Sequence, residues 1–131
     1  MLTRRSLVVT TAGLAGSAAA LPVVAAGPLK VVYVGGWDCE PCATWKKRYK
    51  ADWLASSDYR KVTWIEVESP RLKEAYQSRY WPEDLRPVLD SLPKKSGTPR
   101  FLVVRDGKVI ANEFGVSTWT RILDVVKKQT G

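Results

Sequence analysis

Both cysteines of the chain fall in the stretch Trp37-Asp38-Cys39-Glu40-Pro41-Cys42, which follows the apolar run Val31-Val32-Tyr33-Val34 and the pair Gly35-Gly36. An almost wholly apolar run of this length predicts a strand buried on both faces. Glu40-Pro41 predicts the first turn of a helix, where the missing N–H of proline has no carbonyl to lose. Cys39 therefore falls at the start of that helix, where unpaired backbone N–H groups favour a thiolate over a thiol. Cys42 comes one turn later, placed to close a disulfide with Cys39 or to attack a mixed disulfide formed on it. Dithiol–disulfide chemistry is the function this spacing favours. An inert surface disulfide is the bland alternative, although a pair three apart closes too short a loop to be a useful staple. A zinc site needs four ligands. With no histidine and no third cysteine, it would require two chains.

Residues 1–26 are read as an export signal rather than as part of the fold. Arg4 and Arg5 precede an uncharged stretch rich in Ala, Leu, Val and Gly, and Val24-Ala25-Ala26 suits cleavage before Gly27. Thr3-Arg4-Arg5-Ser6-Leu7-Val8 resembles the bacterial twin-arginine signal pattern. A general secretory signal carrying two arginines is the alternative, and an uncleaved anchor is a third, since Ser6 to Leu29 is uncharged and long enough to span a bilayer. Each of these routes points outside the cytoplasm, to the periplasm of a bacterium, where disulfides persist.

Residues 27–131 are the length of one domain. The whole chain, at 45% hydrophobic and 26% charged residues, has globular composition. The mature part stays basic, yet Lys46-Lys47-Arg48, Lys94-Lys95 and Lys127-Lys128 are short clusters without a recognition motif. They are expected to be solvated surface and not a nucleic-acid interface. The order is strand, helix, strand, helical segment, two strands and a last helix, as in a mixed sheet flanked by helices. Cys42, Trp45, Tyr49 and Trp53 recur at helical spacing from Glu40 to about Ser56, which predicts an aromatic core face. Lys61 to Val67 alternates as a second strand, and Ser69-Pro70 opens a polar helical stretch to about Arg79. Tyr80 to Ser96 is interrupted by Pro82, Pro87 and Pro93 and is expected to be a broken helix or a long packed loop. Arg100 to Val104 and Lys108 to Phe114 flank Asp106-Gly107, which predicts a tight hairpin with positive φ at both turn residues. Ser117 is expected to cap a terminal helix whose apolar side is Ile122, Leu123, Val125 and Val126.

A strand, Trp-x-Cys-x-Pro-Cys, a long helix, and then Gly97-Thr98-Pro99 just before a strand and an Asp-Gly hairpin together resemble the thioredoxin superfamily. The resemblance covers essentially the whole mature chain and implies a three-layer α/β fold: a mixed central sheet of about four strands with helices on both faces. It also implies that Pro99 is a cis-proline facing the cysteines, and that the backbone of Thr98 pairs with a substrate chain. Trp37, from its place beside the motif, is a candidate for the rim of a substrate groove, with a core filler as the alternative. Cys39 would be the nucleophile and Cys42 the resolving thiol.

The departures from the family matter for the chemistry. Asp38 stands where thioredoxins have a tryptophan directly before the first cysteine, Tyr33 where they keep a buried aspartate behind the second cysteine, and Trp64 near the place of its partner lysine. The usual internal proton acceptor is thus expected to be missing. Asp38 and Glu40 flank the nucleophile with negative charge, which opposes thiolate formation and, with Pro41 in third position, resembles a reductase more than an oxidase. The expected activity is an exported thiol:disulfide oxidoreductase acting on protein disulfide substrates and recharged by a membrane electron donor, with no cofactor and no metal. The alternative is a non-catalytic thioredoxin-like binding or regulatory module.

Overall fold

The computed structural model describes residues 26–131; the export signal, including its twin-arginine pattern, lies outside the described residues apart from Ala26. β1 (Lys30–Gly36) enters at the centre of a four-stranded sheet of order β2-β1-β3-β4. β2 (Thr63–Ser69) runs parallel to β1, and β3 (Arg100–Arg105) and β4 (Lys108–Phe114) complete the sheet with antiparallel pairings. The parallel β1–β2 pair needs a crossover, and the cysteine-bearing helix supplies it. That helix runs as α1 (Glu40–Trp45), a π turn (Lys46–Lys50) and α2 (Ala51–Ala55), with helical backbone angles across both junctions. β2 starts later than the alternation at Lys61 to Val67 suggests, because Tyr59–Lys61 forms a 3₁₀ turn first.

The two faces of the sheet bury separate clusters, and the alternation of β1 assigns them. Val31 and Tyr33 join Phe101 and Val103 under α1, α2 and the terminal helix α4 (Trp119–Thr130). Val32 and Val34 join Val67, Leu102 and Val104 under Trp81, Leu85 and the short helix α3 (Arg86–Ser91). Each fully buried side chain of this size contributes about 1.5–3 kcal/mol relative to exposure. Three layers result, with β1 buried on both sides.

Asp106 and Gly107 adopt φ of 53° and 77°. The hairpin thus forms as the dipeptide dictates. Two expectations are corrected. Residues 69–79 are not a helix: they form 3₁₀ turns at Leu72–Glu74 and Ser78–Tyr80. The anchors there are Ala75 and Trp81, with the Trp81 indole donating to the Ala75 carbonyl at 2.8 Å. Ser117 is not the cap of α4 either, since Val116–Thr118 is a 3₁₀ turn and Trp119 begins the helix. The Thr118 hydroxyl is turned backward, donating to the carbonyls of Phe114 and Gly115.

Candidate active site

Cys39 is the N-cap of α1, with extended backbone angles, and its carbonyl accepts the first helical bond from Ala43 at 3.1 Å. It is joined to Cys42 by a disulfide, the two Cα atoms 5.2 Å apart. The Cys39 sulfur takes the place a capping oxygen would occupy. The Cys42 N–H points to it at 3.2 Å. A second donor comes from across the site, the Thr98 hydroxyl at 3.2 Å. When the pair is reduced, both donors face the sulfur that bears the negative charge, and charge-assisted hydrogen bonds of this kind hold a thiolate in preference to a thiol.

Thr98 precedes Pro99 through a cis peptide bond, and Pro99 is buried against the site. The Pro99 carbonyl accepts from Gly115, whereas neither the N–H nor the carbonyl of Thr98 pairs with another backbone group among the described residues. A residue with unpaired backbone groups beside the disulfide is a place where an extended chain adds by backbone hydrogen bonds. A phenol and a guanidinium pin the loop that carries it. Tyr76 donates to the Gly97 carbonyl at 2.6 Å, and Arg100 donates to the Lys94 carbonyl at 2.5 Å.

On the other side of the disulfide, Trp37 is 73% exposed, while its backbone N–H is tied to the Ser69 carbonyl at 2.9 Å. An indole held open beside a buried sulfur is placed as the rim of a groove, with the exposed Leu72 next to its turn. The Asp38 carboxylate accepts the Leu72 N–H at 2.7 Å, which fastens the cysteine loop to the segment after β2. Glu40 stands exposed in the first turn of α1, and Pro41 occupies that same turn. Thus the structure brings Cys39, Cys42, Thr98 and Pro99 together, and sets Trp37, Asp38, Glu40 and Pro41 around them.

One expectation about the sulfurs needs correction. A nucleophile emerging at a helix start is expected to be open to solvent, yet Cys39 is only 2% exposed and Cys42 is fully buried. The Thr98 hydroxyl lies against the Cys39 sulfur at 3.2 Å.

Sequence reasoning misses Glu68 and Lys46. The Tyr33 hydroxyl donates to Glu68 Oε2 at 3.1 Å, and the Lys46 ammonium pairs with the same carboxylate oxygen. Trp64 packs in the aromatic cluster, 5.9 Å from the Trp45 ring. The signal for Glu68 was available in the strand pattern. Alternation puts Trp64, Glu66 and Glu68 on one face of β2, in register with Val31, Tyr33 and Gly35, so two acids point where core residues belong. Among the described residues no group of three or more metal-ligating side chains occurs.

No protein-family model matches this sequence, and no curated protein matches it. Solved structures do match in fold. The thioredoxin of Malassezia sympodialis, described as a member of a pan-allergen family, superposes with a TM-score of 0.54 at 12% identity, covering 79% of each chain. Fasciola hepatica thioredoxin gives 0.51 at 17% identity over 78% of this chain and 81% of that one. Schistosoma mansoni thioredoxin gives 0.50 at 19% identity over 77% and 76%. The chain therefore has a thioredoxin-like α/β fold, with a mixed four-stranded sheet and helices on both faces. Within that fold it carries a Cys-x-x-Cys pair, Cys39 and Cys42, at the start of the helix after β1.

Proposed function

We propose that this protein is an exported thiol:disulfide oxidoreductase that reduces disulfides of periplasmic proteins. The observation that carries the reading is the convergence of two hydrogen-bond donors, the Cys42 N–H and the Thr98 hydroxyl, on the sulfur of the N-cap residue Cys39. In the reduced enzyme the Cys39 thiolate attacks one sulfur of a substrate disulfide, and the other sulfur leaves as a thiolate. The Cys42 sulfur then gives up its proton and attacks Cys39, forming the disulfide seen in the structure and releasing the second substrate thiolate. Two electrons pass to the substrate, and an external dithiol, supplied by a membrane electron donor, must return them.

Replacement of Cys42 by serine should stop the cycle after its first half and accumulate mixed disulfides through Cys39. Non-reducing gels of a periplasmic extract treated with the variant, followed by release with a thiol reductant, read this directly. The near burial of Cys39 favours a second reading, a binding module whose disulfide is inert, and that reading gives no mixed disulfide at all.

Export is supported by Arg4-Arg5 and the uncharged stretch after them. Reduction as the direction of flow is supported by Glu40, exposed in the turn that follows the sulfur, and by Asp38 before it. A reduction potential near the thioredoxin value of about −270 mV is expected, and one near the strong oxidants at about −120 mV overturns the direction.

A further inference from the structure

Cys42 is fully buried, so the proton of its thiol has no direct way to water when the resolving attack takes place. The space above Gly35 provides an indirect one. A Cβ at Gly35 would stand 2.1 Å from the Tyr33 hydroxyl and 3.0 Å from the Cys42 sulfur, so phenol and sulfur crowd the same gap, which exists because the strand has no side chain there. From the gap the Tyr33 hydroxyl donates to Glu68 Oε2 at 3.1 Å. The Glu68 side chain is 19% exposed and that of its partner Lys46 33%, which brings the far end of the chain of groups to solvent.

We propose that Tyr33 relays the proton of Cys42 to Glu68 during the resolving step, with Lys46 as the positioning residue for the carboxylate. This rests on the oxidoreductase reading and deepens it. As the Cys42 sulfur bonds to Cys39, the Cys39–substrate bond breaks and the substrate sulfur leaves with the electron pair. The Cys42 proton passes to the Tyr33 oxygen while the proton of Tyr33 passes to Glu68, and Glu68 releases it to water. The phenol ends the step neutral, as it began.

The surroundings suit a relay better than a base. Burial, and after it the neighbouring Glu68 and then Glu66, push the Tyr33 hydroxyl well above its ordinary range. The phenol therefore stays protonated and works by exchanging one proton for another. Among the described residues, three charged groups face it. The helix contributes Lys46, whose ammonium lies 5.7 Å from the Tyr33 ring centre. β2 contributes Glu68 and Glu66, the latter held by Lys50 at 3.0 Å and by the Trp64 indole N–H at 3.0 Å. β3 presents only the Phe101 ring, 6.0 Å away.

The test uses the full chain, reduced, mixed with a dithiobis(nitrobenzoate) probe whose thiolate is coloured. Attack by Cys39 releases one coloured thiolate and attack by Cys42 the second, so the two steps appear as two phases. Tyr33→Phe is expected to slow the second phase about 10²-fold at neutral pH, with the difference closing as alkaline solvent removes the proton instead. Glu68→Gln is expected to slow the same phase, and the double variant to be no slower than the worse single one. The first phase, performed by Cys39, is the internal control in each variant. A second phase whose pH profile neither substitution moves, or two phases slowed equally, overturns the relay while leaving the oxidoreductase reading intact. Absence of the first phase in the parent protein overturns that reading and the relay with it. Should Tyr33→Phe fail to fold, Glu68→Gln at the solvent edge decides alone.

Discussion

Trp45→Ala is expected to lower the stability of the fold by about 3–5 kcal/mol, the range for truncating a large buried aromatic residue. Against a domain stability of about 5–15 kcal/mol, that is a large fraction of the total. Trp45 is fully buried and contacts four other rings. It stacks on Tyr33 at 5.1 Å between centres with 16° between planes, and meets Trp119 edge-on at 5.1 Å. It therefore ties α1 to β1 and to the terminal helix at once. Its indole N–H has no partner among the described residues, which makes Trp45→Phe a sharp control. Phenylalanine keeps much of the aromatic contact and deletes a buried donor that is unpaired, two effects of opposite sign that should leave the change within about 1.5 kcal/mol. Urea denaturation of the three proteins measures both values. A loss below about 1 kcal/mol in the alanine variant would show that the ring cluster closes over the gap.

The same cluster shows why part of the fold was legible in the sequence. The helical spacing of Cys42, Trp45, Tyr49 and Trp53 survives in the structure as one helix, with Tyr49 half-buried and the other three buried, although a π turn interrupts it at Lys46–Lys50. β1 was legible because a nearly unbroken apolar run has no solvent face to offer. The hairpin was legible because Asp106-Gly107 satisfies a backbone requirement that few pairs meet. Residues 69–79 were not, since their polar composition permits a helix and only the tertiary contacts of Ala75 and Trp81 decide against one.

For the site, local and non-local groups separate in the same way. Cys39, Cys42 and Pro41 could be placed by spacing along a single helix, and Thr98 and Pro99 only by the family resemblance that Gly97-Thr98-Pro99 before a strand helps to carry. The partners that set the chemistry arrive through strand register. Glu68 reaches the Tyr33 hydroxyl because β2 pairs Glu68 with Gly35 and Glu66 with Tyr33, a register that no local motif states. The second donor to the Cys39 sulfur is likewise tertiary, the Thr98 hydroxyl 59 residues away in sequence. Arg100 is the third case. In Arg100-Phe101-Leu102-Val103-Val104 alternation puts it on the face of Leu102 and Val104, a charge at a core position. That alone signals an unusual site, even before its contacts are known.

Those contacts lead to the second large effect: Arg100→Lys is expected to cost more stability than Arg100→Met, and both are expected to slow disulfide exchange. Arg100 is 0% exposed, and no carboxylate forms an ion pair with it among the described residues. Its charge is instead held between aromatic faces, 4.4 Å from the Phe114 ring centre and 5.5 Å from that of Tyr76. Desolvated contacts of this kind between a cation and a ring face are attractive. Its planar fork reaches two acceptors, Asn112 Oδ1 at 2.8 Å and the Lys94 carbonyl at 2.5 Å. Lysine keeps the buried charge but, as a single compact donor on a flexible stem, it loses the fork and the flat stacking. Methionine removes the charge and its desolvation cost, fills much of the volume, and leaves two acceptors unpaired at about 1–3 kcal/mol each. If the guanidinium served stability alone, methionine would leave the Cys39 chemistry untouched. Because the Lys94 carbonyl belongs to the loop that carries Thr98 to the Cys39 sulfur, the methionine variant should also lose the 3.2 Å contact there, and with it part of the thiolate stabilisation. The Cys39 pKa, read by the thiolate absorbance of the reduced protein, should therefore rise in both variants. A methionine variant with the parent Cys39 pKa would confine Arg100 to packing and free the loop from its influence.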